Sequence, residues 1–237
     1  MNNYDSSYPL QPNWSAQEQL FNGVWVYRNI FKKDINIIDR LNQIGQQANV
    51  DNDSRYEWTF GFVGYADKRP EYRDCEDIKI GQIDYPRNQT EQYVGDLWKD
   101  LRSIQNPAVQ DYCSRYSLRM NYWEVMNCIK YGPGQHFQEH ADHGFSYSAT
   151  VSLVGYPNDD YTGGGLYFPK LGLDIKPTAG DLYIFPSTYL FSHVAKPVES
   201  GTKYSIVTML DYNDHAHNQE FMQMREKWVR NEQHKSF

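Results

Sequence analysis

From Ser117 onward the chain is cut into short apolar segments by closely spaced turn clusters, and this constrains its fold more than any other feature. The clusters are Pro157-Asn-Asp-Asp160, Thr162-Gly-Gly-Gly165, Thr178-Ala-Gly180 and Ser200-Gly201. The segments around them span residues 117–126, 148–154, 165–168, 181–185, 193–198 and 203–210, and they are rich in Val, Ile, Leu, Tyr and Phe. Short strands at this spacing imply a β sandwich or barrel. The 20 tyrosines and the 16% aromatic content fit strand propensity before they fit an aromatic binding groove.

The first half reads differently. Residues 1–22 are polar and predict a loose N-terminus, and residues 24–27 read as a first strand. Ile35, Ile38, Leu41 and Ile44 recur at helical spacing behind Asp34, a candidate N-cap, and Val94, Leu97, Leu101 and Ile104 mark a second helix within residues 89–118. The expected organisation is therefore a loose segment over 1–22, a strand with support helices over 23–117, a β core over 118–212, and a charged helical tail over 213–237. No internal repeat or low-complexity tract interrupts it. A chain of 237 residues fits one elaborated domain.

Charge and cysteine usage narrow the setting. Net charge is -7, which disfavours nonspecific nucleic-acid binding. Cys75, Cys113 and Cys128 show no C-x-x-C spacing, so a disulfide framework is not expected and a reducing compartment is. Residues 1–8 lack a basic region and an apolar core, and no apolar run approaches the roughly 20 residues of a membrane span. The expectation is a soluble, cytoplasmic protein.

Chemistry concentrates in His140-Ala-Asp142, in His193, and in Lys203 beyond the Pro197–Gly201 turn. Side chains at i and i+2 of a strand share a face, so His140 and Asp142 can aim at one ion if residues 136–142 are extended. Several antiparallel strands then return His193 to the same point. Two imidazoles and one carboxylate are the set that holds Fe(II) on one face and leaves positions open. A lysine after the distal histidine suits a small dicarboxylate. His136 and His143 flank the set but fit the strand face poorly, and His215 and His217 read as a solvated loop. Cys128 reads as buried and structural.

With these residues in view, residues 118–212 resemble the iron(II)- and 2-oxoglutarate-dependent dioxygenases, in particular their prolyl 4-hydroxylase-like branch. The matching text is Tyr131-x-x-Gly134-x-x-Phe137-x-x-His140-x-Asp142, Gly163-Gly-Gly-Leu-Tyr-Phe-Pro169, Pro177-x-x-Gly180-Asp-Leu-Tyr-Ile-Phe-Pro186-Ser187, and His193-x-x-x-Pro197-Val198-x-x-Gly201-Thr-Lys203. The resemblance implies a mainly β, α+β chain whose core is a double-stranded β-helix, or jelly roll, with supporting N-terminal helices. It implies that His140, Asp142 and His193 bind Fe(II), that Lys203 pairs with the distal carboxylate of 2-oxoglutarate, and that Tyr131 hydrogen-bonds this cosubstrate. Gly163–Gly165 would form a permissive turn and Pro186-Ser187 would shape the rim. The implied reaction consumes O2, releases succinate and CO2, and hydroxylates a substrate C–H, with ascorbate as an optional reductant. A peptidyl proline is the leading substrate; a small molecule, an amino acid or a nucleobase would keep the same chemistry. A cupin-like metal-binding module without 2-oxoglutarate is the competing class, and it has no need of Lys203 or Tyr131. The chain departs from the family where Val154 and Leu166 replace polar cosubstrate contacts and where Met209 stands in place of a tryptophan. Residues 57–86, with Arg69, Arg73 and several aromatics, are the expected carriers of specificity.

Overall fold

A computed structural model of the protein describes residues 12–63, 67–144 and 148–212. The tail over 213–237, with His215 and His217, lies outside the described residues, as do the first eleven. In chain order the elements are β1 (Ala16–Phe21), β2 (Val24–Arg28), α1 (Ile37–Asp51), β3 (Thr59–Phe60), β4 (Arg73–Asp74), β5 (Glu76–Ile80) and α2 (Gln89–Arg115). The core follows with β6 (Tyr122–Trp123), β7 (Met126–Tyr131), β8 (His136–His140), β9 (Val151–Gly155), β10 (Thr162–Gly163), β11 (Leu166–Phe168), β12 (Leu173–Ile175), β13 (Leu182–Pro186), β14 (His193–Ala195), β15 (Val198–Ser200) and β16 (Lys203–Asp211).

Two sheets carry the architecture. The larger runs β1-β2-β13-β9-β16-β7-β5-β3, with β6 also paired to β16; the smaller runs β12-β11-β14-β8-β4. The pairings within both sheets are antiparallel, and the sheets are bonded separately, so they face each other without closing into one ring. Strand alternation decides what each face meets. Leu182 and Ile184 of β13 pack with α1 and α2, whereas Tyr183 and Phe185 pack with Leu166, Phe168 and Ile175 of the smaller sheet. Likewise Met126 and Cys128 of β7 point to the helices, while Ile129 and Tyr131 join the cluster on the opposite face. Because both faces are covered, β9 is buried along its whole length and its text, Val-Ser-Leu-Val-Gly, loses the polar–apolar alternation of a half-exposed strand. Each fully buried Leu or Ile in this layer contributes about 1.5–3 kcal/mol.

Several sequence expectations shift. Within the 1–22 stretch expected to be loose, Ala16–Phe21 pairs with β2 as an exposed edge strand; its polar text reflects that edge position. The first helix starts later than Asp34, which sits in a short turn, and Asn36 is the N-cap; Ile37, Leu41, Ile44 and Ala48 form its buried face. The second helix ends at Arg115. Residues 117–126, read as one strand, form only β6 and the start of β7. Residues 193–198 divide into β14 and β15, because Pro197 cannot donate to a ladder. Among the described residues no helix is long and apolar enough to cross a membrane.

Candidate metal and cosubstrate site

β8 and β14 lie side by side with His140 directly opposite His193, so the two rings meet at a centroid distance of 4.4 Å. β8 ends at His140, and Asp142 stands in the bend beyond it. The bend, rather than the strand pleat anticipated from the i, i+2 spacing, therefore turns the carboxylate toward both rings. His140 Nε2 is 3.7 Å from Asp142 Oδ1, and His193 Nε2 is 4.0 Å from Asp142 Oδ2. One donor atom from each of the three residues lies within 4.8 Å of the others.

The surroundings suit a divalent cation. His140 Nδ1 lies 2.8 Å from the Gln138 carbonyl and His193 Nδ1 lies 3.2 Å from the Phe191 carbonyl. A carbonyl accepts only, so each Nδ1 carries the proton and each Nε2 keeps its lone pair for the centre of the site. Burial first, and then the neighbouring His193, hold His140 far below the usual histidine range and thus neutral. Phe137 stacks on the His140 ring at 3.6 Å and fixes its plane. Asp142 Oδ2 accepts a hydrogen bond from Ser152 Oγ at 2.5 Å, and Ser152 Oγ is 2.7 Å from Ser187 Oγ. Ser187 is thus buried behind the carboxylate and not on the rim where Pro186-Ser187 was expected. Ser152 escaped the sequence reading because a serine inside an apolar strand announces no partner.

A cavity leads inward from these donors between the two sheets. Arg73, Tyr131, Tyr156, Leu166, Lys203 and Val207 are among its walls. Lys203 and Tyr131 face each other in register on β16 and β7. Lys203 is only 1% exposed, its Nζ donates to the Gly164 carbonyl at 2.7 Å, and it forms no ion pair among the described residues. Burial pulls its ammonium down to about 7. The Nζ lies 4.8 Å from the Tyr131 ring centre and 5.6 Å from that of Tyr156. Tyr156 was missed in the sequence; it supplies a phenol on the wall where Val154 and Leu166 offer only carbon. Gly164 is required here. Its φ is +63°, and a Cβ on it would stand 3.1 Å from Lys203 Cδ and 3.0 Å from Tyr161 Cε2.

The remaining candidates lie apart. His136 Nδ1 is 3.2 Å from the Gly134 carbonyl, and His143 Nδ1 is 2.8 Å from the Ala149 carbonyl; neither joins the donor cluster. Cys128 is fully buried on the helix side of β7. On its outer side the site opens into a second, wider cleft lined by Phe62, Tyr72, Arg73, Lys79, Val125 and Met209, among others.

Residues 126–210, which carry the whole constellation, match the model of the 2OG-Fe(II) oxygenase superfamily. Over 118 residues the chain is 25% identical to an Acanthamoeba polyphaga mimivirus protein named "Putative prolyl 4-hydroxylase". That match covers 41% of this chain, and the chain spans about half (49%) of the length of that relative. The fold is similar to a Pseudomonas putida prolyl-4-hydroxylase, with a TM-score of 0.55, 15% identity, and 81% of this chain and 93% of that one covered. It is also similar to a Trichoplax adhaerens prolyl hydroxylase solved with a hypoxia-inducible-factor peptide fragment, with a TM-score of 0.56, 19% identity, and 80% and 83% covered. At these identities the structural likeness establishes the jelly-roll fold alone.

Proposed function

We propose that the protein is an Fe(II)- and 2-oxoglutarate-dependent dioxygenase that hydroxylates a peptidyl proline, in the manner of the prolyl 4-hydroxylases. The observation that carries this reading is the pairing of two unlike centres in one cavity. At its mouth is a two-histidine, one-carboxylate donor set; at its buried end is a lysine with no carboxylate of its own. A buried cation lacking a counter-charge is costly, and a small dicarboxylate with one end on Lys203 and the other toward the metal relieves that cost. A cupin-like module has no use for Lys203 in this place.

In this reading His140, Asp142 and His193 hold the iron, Ser152 orients the Asp142 carboxylate, and the Gln138 and Phe191 carbonyls fix the histidine tautomers. Lys203 holds the distal carboxylate of 2-oxoglutarate, with Tyr131 and Tyr156 walling the pocket. When bound, iron and cosubstrate supply the oxidising power that turns a substrate C–H into C–OH, with succinate and CO2 as co-products of O2 consumption. The apolar walls, Ile129, Val154, Leu166 and Val207, exclude water from the reacting centre. A peptide substrate is supported by the peptide seated on the Trichoplax enzyme, by the name of the mimiviral relative, and by the open outer cleft.

The test is succinate formation from 2-oxoglutarate by the iron-loaded chain in air, with and without a proline-rich peptide, alongside Asp142→Ala. Peptide-stimulated succinate with a +16 Da peptide product is the expected result. Succinate that no peptide stimulates would redirect the search to small-molecule substrates; none at all, despite bound iron, would overturn the reading.

A further inference from the structure

The polar part of the outer cleft is unexplained by proline alone. A proline ring has no N–H and asks for apolar walls near the reacting carbon, and Phe62, Val125, Phe137 and Met209 provide them. The same cleft also carries Arg73, Lys79 and Asn127, all of which offer hydrogen-bond donors. β5 and β7 place Lys79 directly opposite Asn127, the closest cross-strand relation in a sheet. Asn127 shares its strand face with Ile129 and Tyr131, so the pair projects from the face turned toward the metal donors. Asn127 and Arg73 also line the inner cavity, which makes one polar strip running outward from the site.

The positive charges on this strip are not equally neutralised. Arg73 donates to Asp77 at 2.8 Å and to the Phe62 carbonyl at 2.5 Å, so its charge is matched. Lys79 is exposed and makes no salt bridge among the described residues, although its charge acts on the Asp77 carboxyl that Arg73 already holds. The acids of the cleft itself are Asp142, one of the metal donors, and Glu124, which has interactions of its own. Lys79 is therefore an exposed cation without a salt bridge among the described residues, beside an amide, on the wall of the cleft that His140 and Asp142 also line.

We infer that Lys79, with Asn127 beside it, selects peptides that carry an acidic side chain next to the target proline. The inference deepens the prolyl hydroxylase reading and rests on it. The test uses the iron-loaded full chain and alanine-rich peptides with a single proline flanked by Asp, Asn or Lys, with KM followed through the +16 Da product. The Asp-flanked peptide is expected to have a KM about tenfold below the Asn-flanked one, with the Lys-flanked peptide highest. Lys79→Glu is expected to reverse the order, and Lys79→Gln to flatten it, with thermal melting confirming that both variants fold. Equal KM values, or an order that Lys79→Glu leaves unchanged, would overturn the inference and leave the hydroxylase reading standing. Hydroxylation of none of the peptides would overturn both.

Discussion

The inner cavity and the outer cleft meet at His140 and Asp142 but are built in opposite ways. The inner cavity is walled by long, hydrogen-bonded strands of the larger sheet; its lysine is 1% exposed and its tyrosines are buried. The outer cleft is edged by Arg73 of β4, a strand of two residues, and by loop residues such as Phe62, which is 43% exposed. Strand interiors fix side chains to fractions of an ångström, whereas edges and loops tolerate change. On the proposed reading, the reaction centre sits among paired strand interiors, while the outer rim at Phe62 and Arg73 sits on a loop and a two-residue strand. Substitutions on the two sides should separate accordingly.

Asp142→Ala is the severest break. It removes one of three donors and leaves Ser152 and two imidazoles facing a gap. Turnover measured as succinate is expected to fall more than about 100-fold, beyond the 10–100-fold typical of residues that merely support a ligand. Retention of a tenth of the activity would mean that the metal is held elsewhere.

Lys203→Ala comes next, and it should divide the two functions of the cavity. A charge-assisted contact of about 1.5–3 kcal/mol is lost, so the 2-oxoglutarate Kd should rise about 10–150-fold while Mn(II) affinity changes little. The pH dependence sharpens the point. Burial brings the Lys203 ammonium down to about 7 in the folded chain, from an ordinary value near 10.5. Between these values the unfolded chain binds the extra proton, so for this group the stability of the cosubstrate-free protein rises with pH across that window. Binding a carboxylate requires the ammonium, so above about pH 7 it must take up a proton, and affinity should fall by up to about tenfold per pH unit. Calorimetry in two buffers of different ionisation enthalpy should show uptake approaching one proton near about pH 9. Flat affinity from about pH 7 to 9 would remove Lys203 from the cosubstrate site.

The same division governs what the sequence disclosed. The donor residues and Lys203 are legible because they belong to motifs whose spacing is set by strand pairing and tight turns; Gly164 is legible as a turn and is also needed to clear Lys203. Tyr156 and Ser152 were not legible, since one aromatic and one hydroxyl within an apolar strand look like core and filler until the opposite strand is placed. β3, β4 and β5 were read only as strands and loops mixed together, because β3 and β4 have two residues each and carry no periodicity, and the pairing of β4 with β8 and of β5 with β7 is a tertiary fact. The helix layer was found from its spacing, but its first cap was misplaced. Asp34 and Asn36 are equally good capping residues by type, and packing of Ile37 rather than Ile38 set the start.

Ser152→Ala probes the support behind the rigid side at lower cost. The hydroxyl holds one oxygen of Asp142 and leaves the other for the metal. Its removal should weaken Fe(II) affinity about tenfold, near the lower end for such orienting groups, while the 2-oxoglutarate affinity of the metal-loaded protein should stay within about twofold. A loss of cosubstrate affinity as large as the metal effect would show that the larger sheet itself had moved.

Phe62→Ala should produce the smallest effect and tests the soft side. The ring meets Phe60 edge to face at 6.4 Å and is otherwise partly in water. Such a ring contributes little to folding, and a stability loss under about 1 kcal/mol is expected. Arg73 holds the Phe62 carbonyl rather than its ring, so the backbone of the rim should stay in place. The KM for a peptide substrate should still rise a few-fold, because the lost ring is a wall of the outer cleft, while succinate formed without peptide should stay as it was. A large loss of stability would show that the rim is part of the core and would erase the contrast between the two regions. A KM unchanged by the substitution would mean that the peptide enters by another face of the cleft, over Val125 and Met209.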